Sequence, residues 1–244
     1  MPYHHTSDPE FDLAPQEQAA FRYIIAATPR VGSTFLSKLM WETGTLGCPA
    51  EYFNYNRIMF RMAARFGAET PEEYLQALFR FRTTPNSVFG LKLHYDHLQF
   101  LSISGLIKRL GQIKVLRIVR NDPISESVSF SRAIQTNNWT SFATENTTSA
   151  TYNTDHLNWC AKHLHWQKQS WNHFLNSQKI SHLTIDYQSM IADPTGTIRY
   201  IQQALGFPDT PKLELKLPEM SRQSDGSSLE WIERYKHDPK RILP

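Results

Sequence analysis

The sequence predicts a single-domain α/β fold of three layers, with a mostly parallel central sheet and helices on both faces. Two observations predict this fold. Short apolar segments alternate with amphipathic ones, as at residues 21–27 and 33–43, and such alternation is typical of parallel strands joined by helical crossovers. The first apolar segment also ends in a glycine-containing turn that opens a helix. That turn indicates a P-loop-like anion-binding loop.

The remaining elements follow the same alternation. Strands are predicted at residues 21–27, 88–93, 114–119 and 180–185, each followed by a helix, at residues 33–43, 96–110, 123–135 and 194–205. An inserted helix between residues 67 and 86 begins at Thr70-Pro71-Glu72-Glu73, a capping box with proline in the first helical position. Another helix is predicted at residues 155–175.

The two ends of the chain are predicted to differ. Residues 206–228 form a long loop before a final helix at residues 229–235, and loops of such length commonly carry function. Residues 1–20 are predicted to be a flexible N-terminal arm. Residues 21–244 are then one domain.

Composition favours an ordinary globular protein. Hydrophobic residues make up 40% of the 244 positions, enough for a large single core. No segment approaches the roughly 18 apolar residues that cross a bilayer, and the N-terminus lacks the apolar centre of a signal peptide, so we expect a cytoplasmic protein without a membrane span. The net charge of +3 is too small to indicate nucleic-acid binding, which needs a clustered basic face.

The turn after the first strand carries the clearest chemistry. Nucleoside triphosphatases have a lysine where this chain has Ser33 and a glycine where it has Ala27. The loop therefore lacks the outer-phosphate clamp and the need for magnesium, and it suits one terminal phosphate beside Arg30, a planar cation able to make bidentate contacts. The alternative is that Gly32-Ser33-Thr34 is only a helix start with a serine cap.

A second cation is predicted at the same edge of the sheet. Arg120 directly follows the strand at residues 114–119, as Arg30 follows the first strand. Ligands of open parallel sheets bind beyond the carboxyl ends of the strands, where the strand order reverses. Two cations facing one crevice would match two phosphates.

Four segments together resemble the bacterial trehalose sulfotransferase family. They are TPRVGSTFLSKLMWETGTLGCPAEYFN at 28–54, VFGLKL at 88–93, RNDPISESVSFSRAIQT at 120–136 and RQSDGSSLEWIERY at 222–235. The resemblance extends from about residue 23 to about residue 238. It is weak at residues 54–86 and 139–155, where acceptor preference would be encoded.

The resemblance implies the donor 3′-phosphoadenosine 5′-phosphosulfate (PAPS), no metal, a carbohydrate or glycolipid acceptor, and a homodimer. By matched position, the 5′-phosphosulfate would be held by Thr28, Pro29, Arg30, Gly32, Ser33 and Thr34. Arg30 would also neutralise the departing phosphate.

The rest of the donor site follows from the same resemblance. Arg120 and Ser129 would hold the 3′-phosphate, with Ser125 and Ser127 as weaker alternatives to Ser129. Arg222 would close over this phosphate from the C-terminal loop. Tyr187 would approach the adenine, unless it is an ordinary tyrosine at a strand end. Val31 stands where the family usually has serine, which would weaken the loop contacts.

Glu51 aligns with the glutamate that acts as general base in this family. A base within hydrogen-bond reach of the acceptor hydroxyl contributes roughly two to four orders of magnitude in rate. We expect the apolar neighbours Pro49, Tyr52 and Phe53 to dry the carboxylate and raise its pKa. The alternative is a solvated loop glutamate.

Further residues are predicted to contact the acceptor or the sulfuryl group. His94 is a rival base, a hydrogen-bond partner of the acceptor, or a histidine at a strand end. Lys92 would support negative charge on the sulfuryl group or be solvated. The side chains of Tyr52, Phe53, Tyr55 and Trp139 would stack on sugar faces or fill the core.

His156, Cys160 and His163 fall on one face of the helix at residues 155–175. They could bind zinc, but no fourth ligand is evident, and Trp159 and Trp166 favour core packing of this face instead.

The prediction is a sulfotransferase that moves a sulfuryl group from PAPS to a carbohydrate or glycolipid hydroxyl. The alternatives are a non-catalytic nucleotide-binding module and a nucleotide or sugar kinase.

Overall fold

A computed structural model describes residues 8–56, 58–139, 149–208 and 226–242. Arg222, predicted to close over the donor, lies outside these residues, as does most of the loop predicted at 206–228.

The centre of the fold is a four-stranded parallel sheet. Its strands are β1 (Phe21–Ala26), β2 (Val88–Leu93), β3 (Lys114–Val119) and β4 (His182–Asp186), in the order β2-β1-β3-β4. In register, Tyr23 of β1 lies between Gly90 of β2 and Lys114 of β3. The chain crosses from β1 to β2 on one side and then to β3 on the other. This reversal places the ligand-binding crevice at the carboxyl ends of β1 and β3.

Ten α-helices surround the sheet within the described residues. They are α1 (Ser33–Glu42), α2 (Met59–Phe66), α3 (Pro71–Arg82), α4 (Tyr95–Ile103), α5 (Leu106–Arg109), α6 (Pro123–Thr136), α7 (Thr154–Ser177), α8 (Tyr187–Ala192), α9 (Pro194–Leu205) and α10 (Gly226–His237). The capping box predicted for α3 is present, because Thr70 accepts from the backbone of Glu73 and Glu73 accepts from that of Thr70.

Two local predictions need correction. The single helix predicted at residues 96–110 is two helices, because Gly105 adopts a left-handed φ of 74° and caps the start of α5. The strand predicted at 180–185 begins two residues later. The amide of Ile180 instead donates to the carbonyl of Leu175 at the end of α7.

Separate buried clusters cover the two faces of the sheet. Ile24 and Leu91 belong to the cluster under α3, α4 and the end of α7, whereas Ile25 and Leu116 belong to the one under α1 and α9. Adjacent residues of one strand thus serve opposite layers, and the predicted three-layer α/β fold is confirmed. Within the described ranges, no helix combines the length and apolarity that a membrane crossing requires.

Residues 8–20 do not form the loose arm predicted for residues 1–20. Phe11 is buried, and the fully buried guanidinium of Arg82 donates to its carbonyl at 3.0 Å. Asp12 forms ion pairs with Arg65 and Arg82 at 2.5 and 2.8 Å. These contacts bind this segment to α2 and α3.

Candidate active site

The loop after β1 is shaped for close approach by a ligand. Arg30 and Gly32 have φ values of 69° and 82°, a left-handed conformation that is uncommon for a residue with a side chain. A Cβ atom on Gly32 would lie 2.6 Å from Cδ2 of Tyr187. The serine-cap alternative is wrong, because Gly32 occupies the cap position and Ser33 is the first residue of α1. The first turn of α1 directs its backbone N–H groups towards this loop.

Two arginines meet beside the loop. Arg120 donates to the carbonyl of Arg30 at 3.3 Å. Arg30 donates through Nε to Ser129 Oγ at 2.8 Å and through Nη1 to the carbonyl of Trp139 at 2.6 Å. Burial and the neighbouring charge of Arg120 lower the pKa of Arg30 to about 10. The arrangement concentrates positive charge at one point of the sheet edge.

Buried polar atoms at this point are left for a ligand. Among the described residues, Thr28 Oγ1 and Arg120 Nε are buried and have no hydrogen-bond partner. Such atoms are costly unless something else satisfies them. The guanidinium of Arg120 also lies over the ring of Tyr187, 4.7 Å from its centroid. The unsatisfied hydrogen-bond donors, the positive charge and the close backbone approach that Gly32 allows together fit an anion.

The ion pair of Lys168 and Glu126 supports Arg120. Lys168 donates to the carbonyl of Arg120 at 3.1 Å and to Glu126 Oε1 at 2.7 Å. Burial raises the pKa of the fully buried Glu126, although the charge of Lys168 opposes that rise. Sequence reasoning missed this pair. The signal available in the sequence was Glu126, an acidic residue in the first turn of a predicted helix.

The three serines considered for the 3′-phosphate differ in their contacts. Ser129 contacts Arg30, whereas the hydroxyl of Ser127 is used within its helix and donates to the carbonyl of Pro123 at 2.7 Å. The side chain of Asp122 caps α6 by accepting from the amide of Ser125 at 3.1 Å. Val31 is buried in the core cluster beneath the loop.

Glu51 sits in a loop fixed against β2. The preceding residue, Ala50, bridges to Leu91. The carboxylate of Glu51 lies 3.0 Å from Lys92 Nζ through Oε1 and accepts from Asn54 at 2.9 Å through Oε2. The predicted rise of its pKa is wrong. Burial does raise the pKa of Glu51, but Lys92, His94, His97 and Asn54 together lower it well below its usual value.

Lys92 joins Glu51 to the start of α1. Its ammonium group donates to Thr34 Oγ1 at 3.0 Å while it pairs with Glu51, and its side chain is only 4% exposed. The alternative of a solvated lysine is therefore wrong. Because Thr34 belongs to the first turn of α1, a single buried cation fixes the carboxylate next to the loop that follows β1.

Two stacked imidazoles flank the carboxylate. His94 Nε2 is 3.6 Å from Glu51 Oε1, and its ring stacks on that of His97, with centroids 5.1 Å apart. Burial is the main cause that lowers the pKa of His94 to about 4, so this imidazole is neutral near pH 7. His97 Nδ1 accepts from the amide of His94. Sequence reasoning missed His97, four residues beyond the end of β2.

Ligand atoms of Glu51, His94 and His97 lie within 4.8 Å of one another, and these residues form the one group of potential metal ligands found in the described part of the chain. The carboxylate of Glu51 is already paired with the ammonium group of Lys92. The arrangement therefore suits a proton acceptor better than a metal ion.

Tyr52 and Phe53 are not in the site. Both are fully buried. The hydroxyl of Tyr52 donates to the carbonyl of Cys48, and Phe53 packs edge-on against Tyr74 with centroids 5.7 Å apart. The predictions that they bind substrate and exclude water from the carboxylate of Glu51 are wrong, because their rings point into the core.

The aromatic face of α7 is also not as predicted. Trp159 and Trp166, expected in the core, are 52% and 42% exposed. His156 is bonded to the hydroxyl of Ser131 at 2.8 Å, and Cys160 is buried. In the described residues these side chains do not form a metal-ligand group with His163.

Comparison with known proteins gives consistent results. The family model described as Stf0 sulphotransferase matches residues 22–238. Trehalose 2-sulfotransferase from Mycolicibacterium smegmatis is 27% identical over 261 residues, covering 90% of this chain and 96% of the relative. The enzyme of the same name from Mycobacterium tuberculosis is 26% identical over 259 residues, with the same coverage.

A solved structure, mouse sulfotransferase complexed with PAP, covers 96% of this chain and 69% of its own, with 16% identity and a TM-score of 0.48. The family model spans the anion loop, both arginines and Glu51. The chain therefore belongs to the Stf0 sulphotransferase family and is a sulfotransferase.

Proposed function

We propose that this enzyme transfers the sulfuryl group of PAPS to a hydroxyl of a carbohydrate or glycolipid. The observation that carries the proposal is the joining of two sites. The cationic crevice at Arg30 and Arg120 is connected through Thr34 and Lys92 to the carboxylate of Glu51. A doubly phosphorylated donor and a proton acceptor would thus be adjacent.

The residues present fit such a donor. The N–H groups of the first turn of α1, the unsatisfied hydroxyl of Thr28 and the cation of Arg30 would hold the 5′-phosphosulfate. Arg120, whose Nε is buried without a partner among the described residues, would hold the 3′-phosphate together with Ser129. Tyr187 packs on both Gly32 and Arg120, a position from which its ring would contact the adenine.

When bound, the donor supplies a sulfuryl group on a phosphate leaving group. The bond between sulfur and the bridging oxygen breaks, a bond to the acceptor oxygen forms, and the acceptor proton passes to Glu51. Charge accumulates on the bridging oxygen, so fixed cations stabilise the transition state more than the ground state. Arg30 and Lys92 are the cations placed for that task.

Glu51 is the base because its charge state and its position both suit that role. Its low pKa keeps the carboxylate ionised near neutral pH. A strong acid is a weak base, however, and catalysis improves as the pKa of the base approaches the working pH. Any weakening of the Lys92 contact as the sulfuryl group moves would raise that pKa. The neutral imidazole of His94, 3.6 Å away, would orient the acceptor hydroxyl.

Trehalose is the first acceptor to test, because both curated relatives are trehalose 2-sulfotransferases. The kinase alternative has no support in the site, since Ser33 stands where the triphosphatase lysine would be. The matched family model is that of a sulphotransferase, which favours transfer over the binding-module alternative.

The test combines binding with turnover. In calorimetry with adenosine 3′,5′-bisphosphate and with ATP plus magnesium, the former is expected to bind without metal. Radiolabelled PAPS should then label trehalose or a fraction of a crude glycan and lipid extract. Glu51→Gln should retain affinity for the bisphosphate and lose turnover, with His94→Asn as the matched variant for the rival base. Unchanged turnover in Glu51→Gln would contradict the assigned base, and preference for ATP would support a kinase.

A further inference from the structure

An aromatic ridge runs along the outer side of α7. It consists of His156, Trp159, His163 and Trp166 on that helix and Tyr95 at the start of α4. The rings of His156 and Trp159 are 6.0 Å apart with an interplanar angle of 3°, and those of Trp159 and His163 are 5.3 Å apart at 15°. Trp166 continues the ridge edge-on to Tyr95 at 5.7 Å.

The ridge is distinct from the buried face of its helix. Core packing of α7 uses other positions, including Leu157, Cys160 and Leu164. Both tryptophans of the ridge remain about half exposed. Large exposed apolar side chains in a continuous row mark a binding surface more often than a structural one.

Two routes connect the ridge with candidate site residues. From the middle of the ridge, Phe130 contacts the rings of Trp159 and Trp139 at 6.2 and 6.0 Å, and the carbonyl of Trp139 accepts from Arg30. At one end of the ridge, Tyr95 directly follows His94, which faces Glu51. The ridge is therefore connected to Arg30 through Phe130 and Trp139, and to His94 through the backbone of Tyr95.

Gln167 holds the ridge in place. Its side chain is buried, accepts from the amide of Tyr95 at 3.2 Å, and bonds to His163 at 2.9 Å. It thereby fixes α7 against the start of α4. A preformed aromatic surface loses little freedom on binding, which favours affinity.

The chemistry of the ridge favours a sugar chain. Indole and imidazole rings offer apolar faces with polar nitrogen atoms at their edges, which complement the C–H faces and hydroxyl rims of pyranose rings. Burial lowers the pKa of His163, which favours the neutral ring that an uncharged saccharide needs. From His156 to Trp166 the helix rises about 15 Å, which is longer than one pyranose ring.

We propose that the aromatic ridge is an acceptor platform on which pyranose rings of a saccharide chain stack against Trp159 and Trp166 while a hydroxyl of that chain reaches Glu51. The proposal rests on the proposed function, which it extends from one acceptor hydroxyl to an acceptor with at least two sugar units. It also assigns acceptor recognition to α7, in place of Tyr52 and Phe53.

The test is binding to a glycan array in the presence of adenosine 3′,5′-bisphosphate, followed by titration of the glycans that bind. We expect Trp159→Ala and Trp166→Ala each to weaken binding about five- to tenfold, and Trp159→Tyr to restore most of it. Tyr200→Ala removes an aromatic ring that is 51% exposed on α9 and should bind like the wild type. Affinity for the bisphosphate should be the same in all variants.

Three results would overturn the platform. The first is that the wild-type protein binds no glycan, and the second is that the tryptophan variants bind glycans as tightly as the wild type. The third is that the tryptophan variants lose a dimer mass in light scattering while their glycan affinity is unchanged, which would make the ridge a subunit interface. Failure of the proposed function is read separately. If the protein binds glycans through the ridge but neither binds the bisphosphate nor transfers label, glycan binding by the ridge stands and sulfotransfer from PAPS is contradicted.

Discussion

Replacement of Lys92 by methionine is the perturbation whose effect the structure defines most sharply. The ammonium group lies 3.0 Å from Glu51 Oε1 and 3.0 Å from Thr34 Oγ1. Methionine retains much of the volume and removes both contacts. The carboxylate of Glu51, whose side chain is 18% exposed, would then lose its nearest positive charge.

The expected loss of stability is large. Two unit charges at about 4 Å interact by roughly 4 kcal/mol at the effective dielectric constant of about 20 that suits such sites. Removing one partner of a buried pair typically costs about 3–5 kcal/mol. We therefore expect the free energy of unfolding of Lys92→Met to fall by about 3–4 kcal/mol at pH 7. Glu51→Gln in the same chain should restore much of this loss, because no uncompensated charge remains.

Urea unfolding at pH 7 and pH 5 provides the assay. In the wild type, the depressed pKa of Glu51 contributes stability above its unfolded value of 4.5, and that stability is lost as the pH falls through the folded pKa. Without Lys92, burial raises the pKa of Glu51, so the difference from the wild type should shrink at pH 5. Lys108→Met, at an exposed lysine, should change stability by less than about 0.5 kcal/mol. A loss below about 1 kcal/mol in Lys92→Met, or no change with pH, would contradict the role of Lys92 in balancing the charge of Glu51.

Three further predictions follow. Gly32→Ala should destabilise the protein by about 1–3 kcal/mol and weaken donor binding in calorimetry, because the added Cβ would overlap Tyr187. The control is Gly44→Ala, at a glycine with a φ of 66° and open space around it, which should retain donor binding. The pKa of His94, lowered to about 4, should make the free energy of unfolding fall by about 3 kcal/mol in total as the pH drops from 6.5 to 4, and an equally steep fall in His94→Asn would contradict this. Glu126→Gln should weaken binding of adenosine 3′,5′-bisphosphate about fivefold by loosening the support of Arg120, and an unchanged affinity would show that the ion pair has no such role.

The sheet was predictable because each strand is a short apolar run followed by a helix start. β2 and β3 match their predicted bounds, since both are flanked by clear turns. β4 begins later than predicted because its apolar pattern is weak, since His182 and Thr184 are exposed. Gly105 divides α4 from α5 through a backbone conformation that helical periodicity does not reveal.

The site was predictable only where topology fixes it. Arg30 and Arg120 follow adjacent parallel strands, so their meeting follows from the strand order. The charge state of Glu51 depends instead on Lys92, which a different segment brings to it. In an irregular loop no periodicity tells which side chains face inward, so Tyr52 and Phe53 were assigned to the wrong side.

The most direct test of the account is calorimetry, in the presence of EDTA, of adenosine 3′,5′-bisphosphate and of adenosine 5′-monophosphate with the wild type, Arg30→Ala and Arg120→Ala. We predict that the wild type prefers the bisphosphate, that Arg120→Ala loses this preference, and that Arg30→Ala weakens both ligands. A wild type that binds both nucleotides equally, or arginine variants that bind like the wild type, would contradict the claim that the two guanidinium groups hold one doubly phosphorylated donor.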